Sequence, residues 1–234
     1  MVLSLAYWLF VAFAAFTMFP IALVTWLVTL PFDRRKAILH AVTNFWAALY
    51  TWGNPLWSVE VRGRERVVPG QTFVMVANHA SLVDIFVLHR LFVHFKWVSK
   101  IENFRLPLIG WNMTLNGYVA LRRGDRESVV KMLAASRRLL QQGSSIMMFP
   151  EGTRSKTAEL RPFKPGAFEL AIETGLPVLP IAIHGTAKAL PKHGLRIGRS
   201  RMIVEVLPPI AAKDVDAATL ADTTRATIIA ALAR

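Results

Sequence analysis

Residues 72–84 read TFVMVANHASLVD, an apolar run typical of a buried strand that leads at once into a histidine and an aspartate. His79 can accept a proton near neutral pH. A carboxylate from Asp84 on the other ring nitrogen would fix the tautomer and stabilise the charged imidazole. The same residues also suit a purely structural role, because Ser81 and Asp84 have the spacing of a capping box at a helix start.

The chain offers no obvious nucleophile to pair with this histidine. It contains no cysteine and no Gly-x-Ser-x-Gly motif. A general base without a nucleophile of its own would activate a hydroxyl group that the substrate brings.

From Ser58 onward, short apolar runs alternate with helical patterns. This alternation predicts an α/β domain over residues 58–234, with a mixed, largely parallel sheet flanked by helices. Open sheets of this kind place ligands at the carboxyl ends of their strands, where His79 lies. The predicted strands are Val59–Arg62, Phe73–Ala77, Lys96–Ser99, Tyr118–Leu121, Ser145–Phe149, Val178–Ile183 and Met202–Leu207. The predicted helices are Ser81–His94, Leu108–Leu115, Arg126–Gln142, Gly166–Thr174 and Ala217–Ala233.

The amino-terminal segment has a different character. From Val2 to Phe32 there are 31 residues without Asp, Glu, Lys, Arg or His, whereas about 20 apolar residues suffice to cross a bilayer. A cleaved signal peptide is not expected, because the run has no basic leader and is too long. Pro20 is expected to kink or break this helix.

A second uncharged stretch runs over residues 37–59, and five of the seven tryptophans lie in the first 57 residues. Indole rings favour the membrane interface. Residues 1–57 are therefore predicted to form a two-helix membrane motif, with either one crossing plus an interfacial helix or both helices in one leaflet. The alternative is that both are core helices of a soluble domain. The basic cluster Arg34-Arg35-Lys36 predicts that this part, and the domain after it, faces the cytoplasm.

Composition supports a membrane partner. The net charge is +13, the pI is near 10.9 and 53% of residues are hydrophobic. A chain that is both basic and apolar suits the surface of an anionic membrane better than nucleic acid. The six histidines lack metal-ligand spacing, and His89 and His94 are interpreted as non-metal residues.

Further motifs follow other predicted strands. Phe149-Pro150-Glu151-Gly152-Thr153-Arg154-Ser155 can form a tight turn that presents Thr153, Arg154 and backbone amides to a phosphate. The segment Gly117–Asp125 brings Arg122 and Arg123 to a strand end, and Trp97–Lys100 brings a lysine. Each motif alone is also compatible with an ordinary surface turn or a solvated cation.

Taken in order, these blocks resemble the four-block signature of glycerolipid acyltransferases. The blocks are His-x4-Asp, Gly-Tyr-Val-x-x-x-Arg, Phe-Pro-Glu-Gly-Thr-Arg-Ser and Leu-Pro-Val-Leu-Pro-Ile-Ala, spread over residues 58–210. Within that superfamily the chain is similar to the bacterial 1-acyl-sn-glycerol-3-phosphate (lysophosphatidic acid) acyltransferases. Phe163-Lys164-Pro165-Gly166-Ala167-Phe168 also fits the pattern.

The resemblance implies that His79 is the general base and Asp84 its partner. It further implies a substrate-binding set that shapes the acceptor site, in which Lys100 joins the phosphate site: Lys100, Arg122, Glu151, Gly152, Thr153 and Arg154. The implied reaction moves a fatty acyl group from acyl-CoA or acyl carrier protein to the 2-hydroxyl of lysophosphatidate, giving phosphatidate for phospholipid biosynthesis at the cytoplasmic membrane. Neither a metal nor a cofactor is expected, because the thioester is already activated.

Two alternatives stay open at this point. One is a related acyltransferase with another lyso-lipid acceptor, such as lyso-ornithine lipid or another lysophospholipid. The other is a non-enzymatic module that binds membranes through an anchor and a basic face.

For the implied acyl transfer, backbone amides near Ser81 are the expected donors to the oxyanion of the intermediate.

Overall fold

The computed structural model describes residues 2–154, 159–191 and 194–234. Seven strands lie within these ranges: β1 (Trp57–Arg62), β2 (Val74–Ala77), β3 (Phe95–Lys100), β4 (Val119–Leu121), β5 (Ser145–Met148), β6 (Val178–His184) and β7 (Ser200–Val206). They form one sheet in the order β1-β7-β6-β2-β5-β3-β4. All neighbours are parallel except β6 and β7. The prediction of a mixed, largely parallel sheet is confirmed.

Helices cover both faces of the sheet. They are α1 (Val2–Thr29), α2 (Ala37–Trp52), α3 (Val83–His89), α4 (Ile109–Leu115), α5 (Arg126–Gln141), α6 (Gly166–Thr174), α7 (Thr186–Ala189) and α8 (Ala217–Leu232), with short 3-10 turns at Arg64–Arg66 and Ile101–Arg105. The central strand β2 is buried on both sides. Met75 and Ala77 pack into the cluster that includes α3, and Val74 and Val76 pack into the opposite cluster with α5, α6 and α8. Two-sided burial explains why β2 is continuously apolar in sequence.

The helix predicted over Ser81–His94 is shorter than expected. It ends at His89, because residues 90–92 form successive tight turns and Phe92 has φ +51°, which no α-helix accommodates. The polypeptide can then enter β3 at Phe95. The apolar periodicity continued past the helix end because the turn residue Leu91 is itself buried in the core.

The long amino-terminal helix is continuous through Pro20, so the prediction that this proline breaks it is wrong. Proline removes one backbone bond, and contacts between α1 and α2 on both sides of it, at Ala15 and Ala22, hold the helix together. Within the described residues, Leu3–Thr29 is the one helix whose length and apolarity would allow it to cross a membrane, judged by those two properties alone. Its most apolar window is mostly exposed, with 17% buried.

The second helix packs into the protein rather than lying apart from it. Leu39, Trp46 and Tyr50 are buried against α1, and Phe86 of α3 and Ile109 of α4 pack on the same cluster. The β1 strand begins at Trp57, next to the predicted boundary between residues 57 and 58. The apolar character of α2 therefore serves a shared core with the α/β domain.

Buried polar side chains also tie α2 to α4. The Thr43 hydroxyl accepts hydrogen bonds from the side-chain amides of Asn112 at 3.2 Å and Asn116 at 3.0 Å. All three residues are at most 6% exposed. Water is therefore a poor substitute for the threonine oxygen.

We expect Thr43→Val, which keeps the shape but removes the hydroxyl, to destabilise the full-length protein by about 1–3 kcal/mol, because Asn112 loses its acceptor in a buried site. The measurement is thermal unfolding in detergent micelles. Thr25→Val is the control, since that hydroxyl is exposed and bonds within its own helix. Equal unfolding midpoints for the two variants would contradict a structural role for the α2–α4 bonds.

Candidate active site

The turn after β2 is fixed by Asn78. Its side-chain amide donates to the carbonyl of Ile183 at 2.9 Å and its oxygen accepts from the Ile183 amide at 2.8 Å. This pair of bonds joins β2 to β6 where the two strands end. The position of the next residue, His79, is thereby set by the sheet itself.

His79 and Asp84 form a hydrogen-bonded pair. Nδ1 of His79 lies 2.8 Å from Oδ2 of Asp84, which is fully buried. The same oxygen accepts from the backbone amides of Ala80 at 2.7 Å and Ser81 at 2.8 Å. Asp84 thus organises the turn, as its structural interpretation requires, and also makes the contact to the histidine on which the chemical interpretation depends. With Nδ1–H donated to the carboxylate, Nε2 of His79 carries the lone pair.

The amides of Ala80 and Ser81 are consequently engaged with Asp84. The expectation that amides near Ser81 serve as oxyanion donors is wrong for these two groups. The Ser81 hydroxyl is also committed, since it donates to the carbonyl of Leu190 at 2.7 Å. The spacing of Ser81 and Asp84 in the sequence does not show that these amides are occupied. The same two residues could cap the helix while the amides stayed without a partner.

One face of the His79 ring is covered by Phe149. The two rings are stacked with centroids 3.9 Å apart and an interplanar angle of 9°. Phe149 follows β5, the parallel neighbour of β2, so the two strand ends bring the rings together. The stack fixes the plane of the imidazole, which a single hydrogen bond to Asp84 leaves free to tilt.

Glu151 braces the same region. It is 4% exposed, and its carboxylate accepts from the backbone amides of His79 at 2.7 Å and Arg161 at 3.2 Å. Burial raises the pKa of Glu151, and these two hydrogen bonds oppose that rise. The sequence-based role of Glu151 in shaping the site therefore takes the form of a brace between two turns.

His79 and Phe149 line a cavity of about 690 Å³. Its apolar part lies between α2, α3 and α4 and is walled by Trp46, Tyr50, Ile85, Phe86, Ile109 and Met113. Trp8 and Val11 of α1 also line it. The two amino-terminal helices therefore build part of the cavity wall.

Three cationic side chains line the same cavity: Lys100, Arg123 and Lys164. Lys100 lies at the end of β3 and its Nζ is 3.3 Å from Oε1 of Glu102. Burial lowers the pKa of Arg123, and nearby Glu102 opposes that effect. A cavity that is apolar in one part and cationic in another suits a ligand with a long apolar chain and an anionic group.

Gly152 also lines the cavity and has φ +72°. A Cβ at this position would lie 2.8 Å from Cε of Lys164, so a larger residue would displace that lysine as well as strain the turn. Glycine here lets the lysine cross the turn.

Other residues expected from the sequence lie elsewhere. Among the described residues, Arg122, Thr153 and Arg154 are not part of the cavity lining. Arg122 is exposed and its Nη1 lies 3.9 Å from Oδ2 of Asp125, the amino-terminal cap of α5. Ser155, the last residue of its motif, lies outside the described residues.

Arg123 and Lys164 are the cavity residues that the site prediction missed. The signal for Arg123 was present, because the spacing Gly-Tyr-Val-x-x-x-Arg counted from Gly117 ends on Arg123 rather than on Arg122. Lys164 lies in the block Phe163–Phe168. His89 is hydrogen-bonded to Asn44 and Trp97, and His94 is hydrogen-bonded to Ser144. Within the described ranges, no group of three potential ligand side chains could hold a metal.

Comparison with known proteins gives several likenesses. The chain is 41% identical over 188 residues to a 1-acyl-sn-glycerol-3-phosphate acyltransferase of Chlamydomonas reinhardtii, covering 78% of this chain and 56% of that protein. It is 35% identical over 161 residues to a 1-acyl-sn-glycerol-3-phosphate acyltransferase of Saccharomyces cerevisiae, covering 67% and 52%. The chain thus spans about half the length of these relatives.

The fold is that of a solved structure, the 1-acyl-sn-glycerophosphate (LPA) acyltransferase PlsC from Thermotoga maritima. The two share a TM-score of 0.79 at 22% identity, over all of this chain and 96% of the other. The family model described as Acyltransferase matches residues 58–184, which include the His79–Asp84 pair, the cationic residues of the cavity and the Phe149 turn. The chain therefore belongs to the Acyltransferase family.

Proposed function

We propose that the protein transfers an acyl group from a thioester to the 2-hydroxyl of lysophosphatidate and so forms phosphatidate. One observation carries the proposal: His79, hydrogen-bonded to the buried Asp84, lines a single cavity that also contains an apolar part and three cations. This combination suits a substrate with a reacting hydroxyl, a fatty chain and a phosphate. Sequence likeness to 1-acyl-sn-glycerol-3-phosphate acyltransferases supports the same choice.

In the proposed mechanism, Nε2 of His79 removes the proton of the acceptor hydroxyl as its oxygen attacks the thioester carbon. Asp84 stabilises the imidazolium that forms. The tetrahedral intermediate then collapses, the carbon–sulfur bond breaks, and the imidazolium returns its proton to the departing thiolate. General-base help of this kind contributes on the order of 10²–10⁴ in rate. The thioester, from acyl-CoA or acyl carrier protein, is the co-substrate, and the steps need neither a metal nor a cofactor.

The phosphate of the acceptor is proposed to bind Lys100, Arg123 and Lys164. Binding of the phosphate orients the hydroxyl toward His79, so the reacting groups are held in place and do not depend on a random collision. Arg123 takes the place that the sequence assigned to Arg122. Gly152, Thr153 and Arg154 belong to the turn that carries Phe149, and Thr153 and Arg154 remain proposed contacts for the substrate at its edge.

Membrane attachment is proposed to run through α1. An exposed apolar face follows the helix, and includes Leu5, Leu9, Phe13, Phe16, Val24 and Leu27. The opposite side contacts the protein near the start of the helix, where the Ser4 hydroxyl accepts from the Ile197 amide, and again beyond its middle, where Phe19 packs edge-on against Trp111. Contact along so much of the helix favours insertion into one leaflet over a free crossing. We place the protein at the cytoplasmic membrane with the cavity facing the cytoplasm.

We expect His79→Ala to lower kcat by about 10²–10⁴-fold, because the general base is lost. Asp84→Asn should also lose most activity, because the imidazole loses its charged partner. The assay is phosphatidate formation by purified full-length enzyme, with thermal unfolding as the check on folding. Substantial turnover by folded His79→Ala would overturn the general-base assignment. Activity with other lyso-lipids but not with lysophosphatidate would uphold the proposed acyl transfer and contradict the choice of lysophosphatidate as the acceptor.

Neighbouring arginines provide a matched test of phosphate recognition. Arg123→Ala should raise the KM for lysophosphatidate about 10- to 100-fold with little effect on the KM for the thioester, since a charge-assisted hydrogen bond contributes about 1.5–3 kcal/mol. Arg122→Ala, which removes the neighbouring cation that does not line the cavity, should leave both KM values unchanged. The measurement is steady-state kinetics with each substrate varied in turn, which gives the KM for lysophosphatidate and the KM for the thioester separately. An equal effect of the two variants would count against Arg123 as the phosphate ligand.

Topology can be tested with a tag placed after Arg234. If the domain faces the cytoplasm, protease added outside intact spheroplasts should leave the tag intact and should remove it after lysis. A tag already cleaved in sealed cells would refute the proposed orientation and, with it, the cytoplasmic thioester donor.

A further inference from the structure

The Phe149 ring that covers His79 also contacts a second aromatic ring, that of Trp97. Trp97 at β3 lies with its ring centroid 5.4 Å from that of Phe149 and is 5% exposed. The three rings of His79, Phe149 and Trp97 therefore form a continuous aromatic contact from the core to the catalytic histidine.

Trp97 is held by a chain of buried hydrogen bonds that ends in α2. Its indole N–H donates to Nε2 of His89 at 3.1 Å. Nδ1 of His89 in turn donates to Oδ1 of Asn44 at 2.6 Å, and the Asn44 amide donates to the carbonyl of Val93 at 3.2 Å. His89 and Asn44 are at most 3% exposed, so water does not reach their polar groups and the protein must supply their hydrogen-bond partners.

This chain requires one form of His89. A ring that accepts at Nε2 and donates at Nδ1 is neutral, and burial lowers the pKa of His89 to about 3, which keeps it neutral over the range in which the enzyme would work. Lys96, on the same strand as Trp97, is also buried, but its Nζ donates to the carbonyl of Asn116 and takes no part in the chain.

We propose that Asn44, His89 and Trp97 are positioning residues that hold Phe149 against His79, so that α2 contributes to catalysis as well as to the membrane motif. Asp84 fixes one nitrogen of the imidazole, and the supported Phe149 face fixes the plane in which Nε2 meets the substrate hydroxyl. The stacked aromatic face also favours the imidazolium that forms during transfer, because a ring attracts a cation within about 6 Å of its centroid. This inference rests on the proposed acyl transfer.

Two variants loosen the chain from opposite ends. Trp97→Phe keeps an aromatic ring in the cavity wall but removes the N–H, and Asn44→Ala acts from a residue that is not part of the cavity lining. Each is expected to lower kcat about tenfold or more while leaving the KM values unchanged, because misplacement of a catalytic group affects the transition state rather than substrate binding.

The controls are equally buried. Trp57→Phe removes an indole N–H that donates to the carbonyl of Gly198 at 2.9 Å, and Asn54→Ala removes an amide oxygen that accepts from Leu56. In the described part of the chain no ring contact or side-chain hydrogen bond joins either residue to Phe149, so both controls should keep the wild-type kcat even if they lower thermal stability.

A spectroscopic measurement separates positioning from the function itself. The ring current of stacked Phe149 shifts the Cε1–H resonance of His79, and that resonance should move in Trp97→Phe and Asn44→Ala but not in the two controls. The His79→Ala spectrum assigns it. Wild-type kcat together with an unmoved His79 resonance in both variants would overturn the positioning role, as would an equal kcat loss in the controls. A moved resonance in a protein without acyl transfer would uphold the support of His79 and overturn the proposed function alone.

Discussion

The site depends on one carboxylate oxygen. Oδ2 of Asp84 accepts from the His79 ring and from two consecutive backbone amides, all within 2.8 Å. A fully buried carboxylate is costly unless donors replace its water, and these three donors are supplied by the turn that the carboxylate itself shapes. Folding of the turn and orientation of His79 are therefore one event. The two backbone amides that donate to Asp84 cannot also stabilise an oxyanion. Other hydrogen-bond donors must therefore stabilise it.

The parallel strands then determine what surrounds the dyad. The turns after β2 and β5 lie side by side, which brings Phe149 onto the imidazole and Glu151 under its backbone. The ends of β3 and β4 lie further along the same edge and bring Lys100 and Arg123 to the cavity. The order of the strands thus places His79 in the middle, with cations toward one edge of the sheet. A substrate whose phosphate meets those cations would present its hydroxyl toward the base.

Sequence patterns predicted the sheet and the dyad because both rest on local signals: a two-sided apolar strand and two polar residues at fixed spacing. They were less successful where the outcome depends on register. Arg122 and Arg123 are adjacent, and the one that follows the last residue of β4 by two positions lines the cavity. The motif spacing from Gly117 marks that residue, but the two arginines look equivalent when they are considered only as a basic pair at a strand end. The early end of α3 at His89 was missed for a related reason, since buried turn residues such as Leu91 continue an apolar pattern beyond the helix.

The role of α2 was hardest to foresee, because apolar residues that face lipid and apolar residues that face a core look alike in sequence. The distinguishing signal was the polar content of the helix. His40, Thr43 and Asn44 are uncharged but polar, and a helix lying freely in lipid would have to leave them without partners. In the structure each has a partner in the α/β domain: Tyr118, Asn112 and His89 respectively. A helix can be apolar enough for a membrane and still carry a row of polar side chains. Such a helix must pack against protein on its polar face.

This arrangement lets α2 take part in the cavity wall, in the buried chain behind His79 and in the proposed membrane motif. In the proposed reaction, the fatty chain of the substrate would pass from lipid into the cavity along the same helices that position the base.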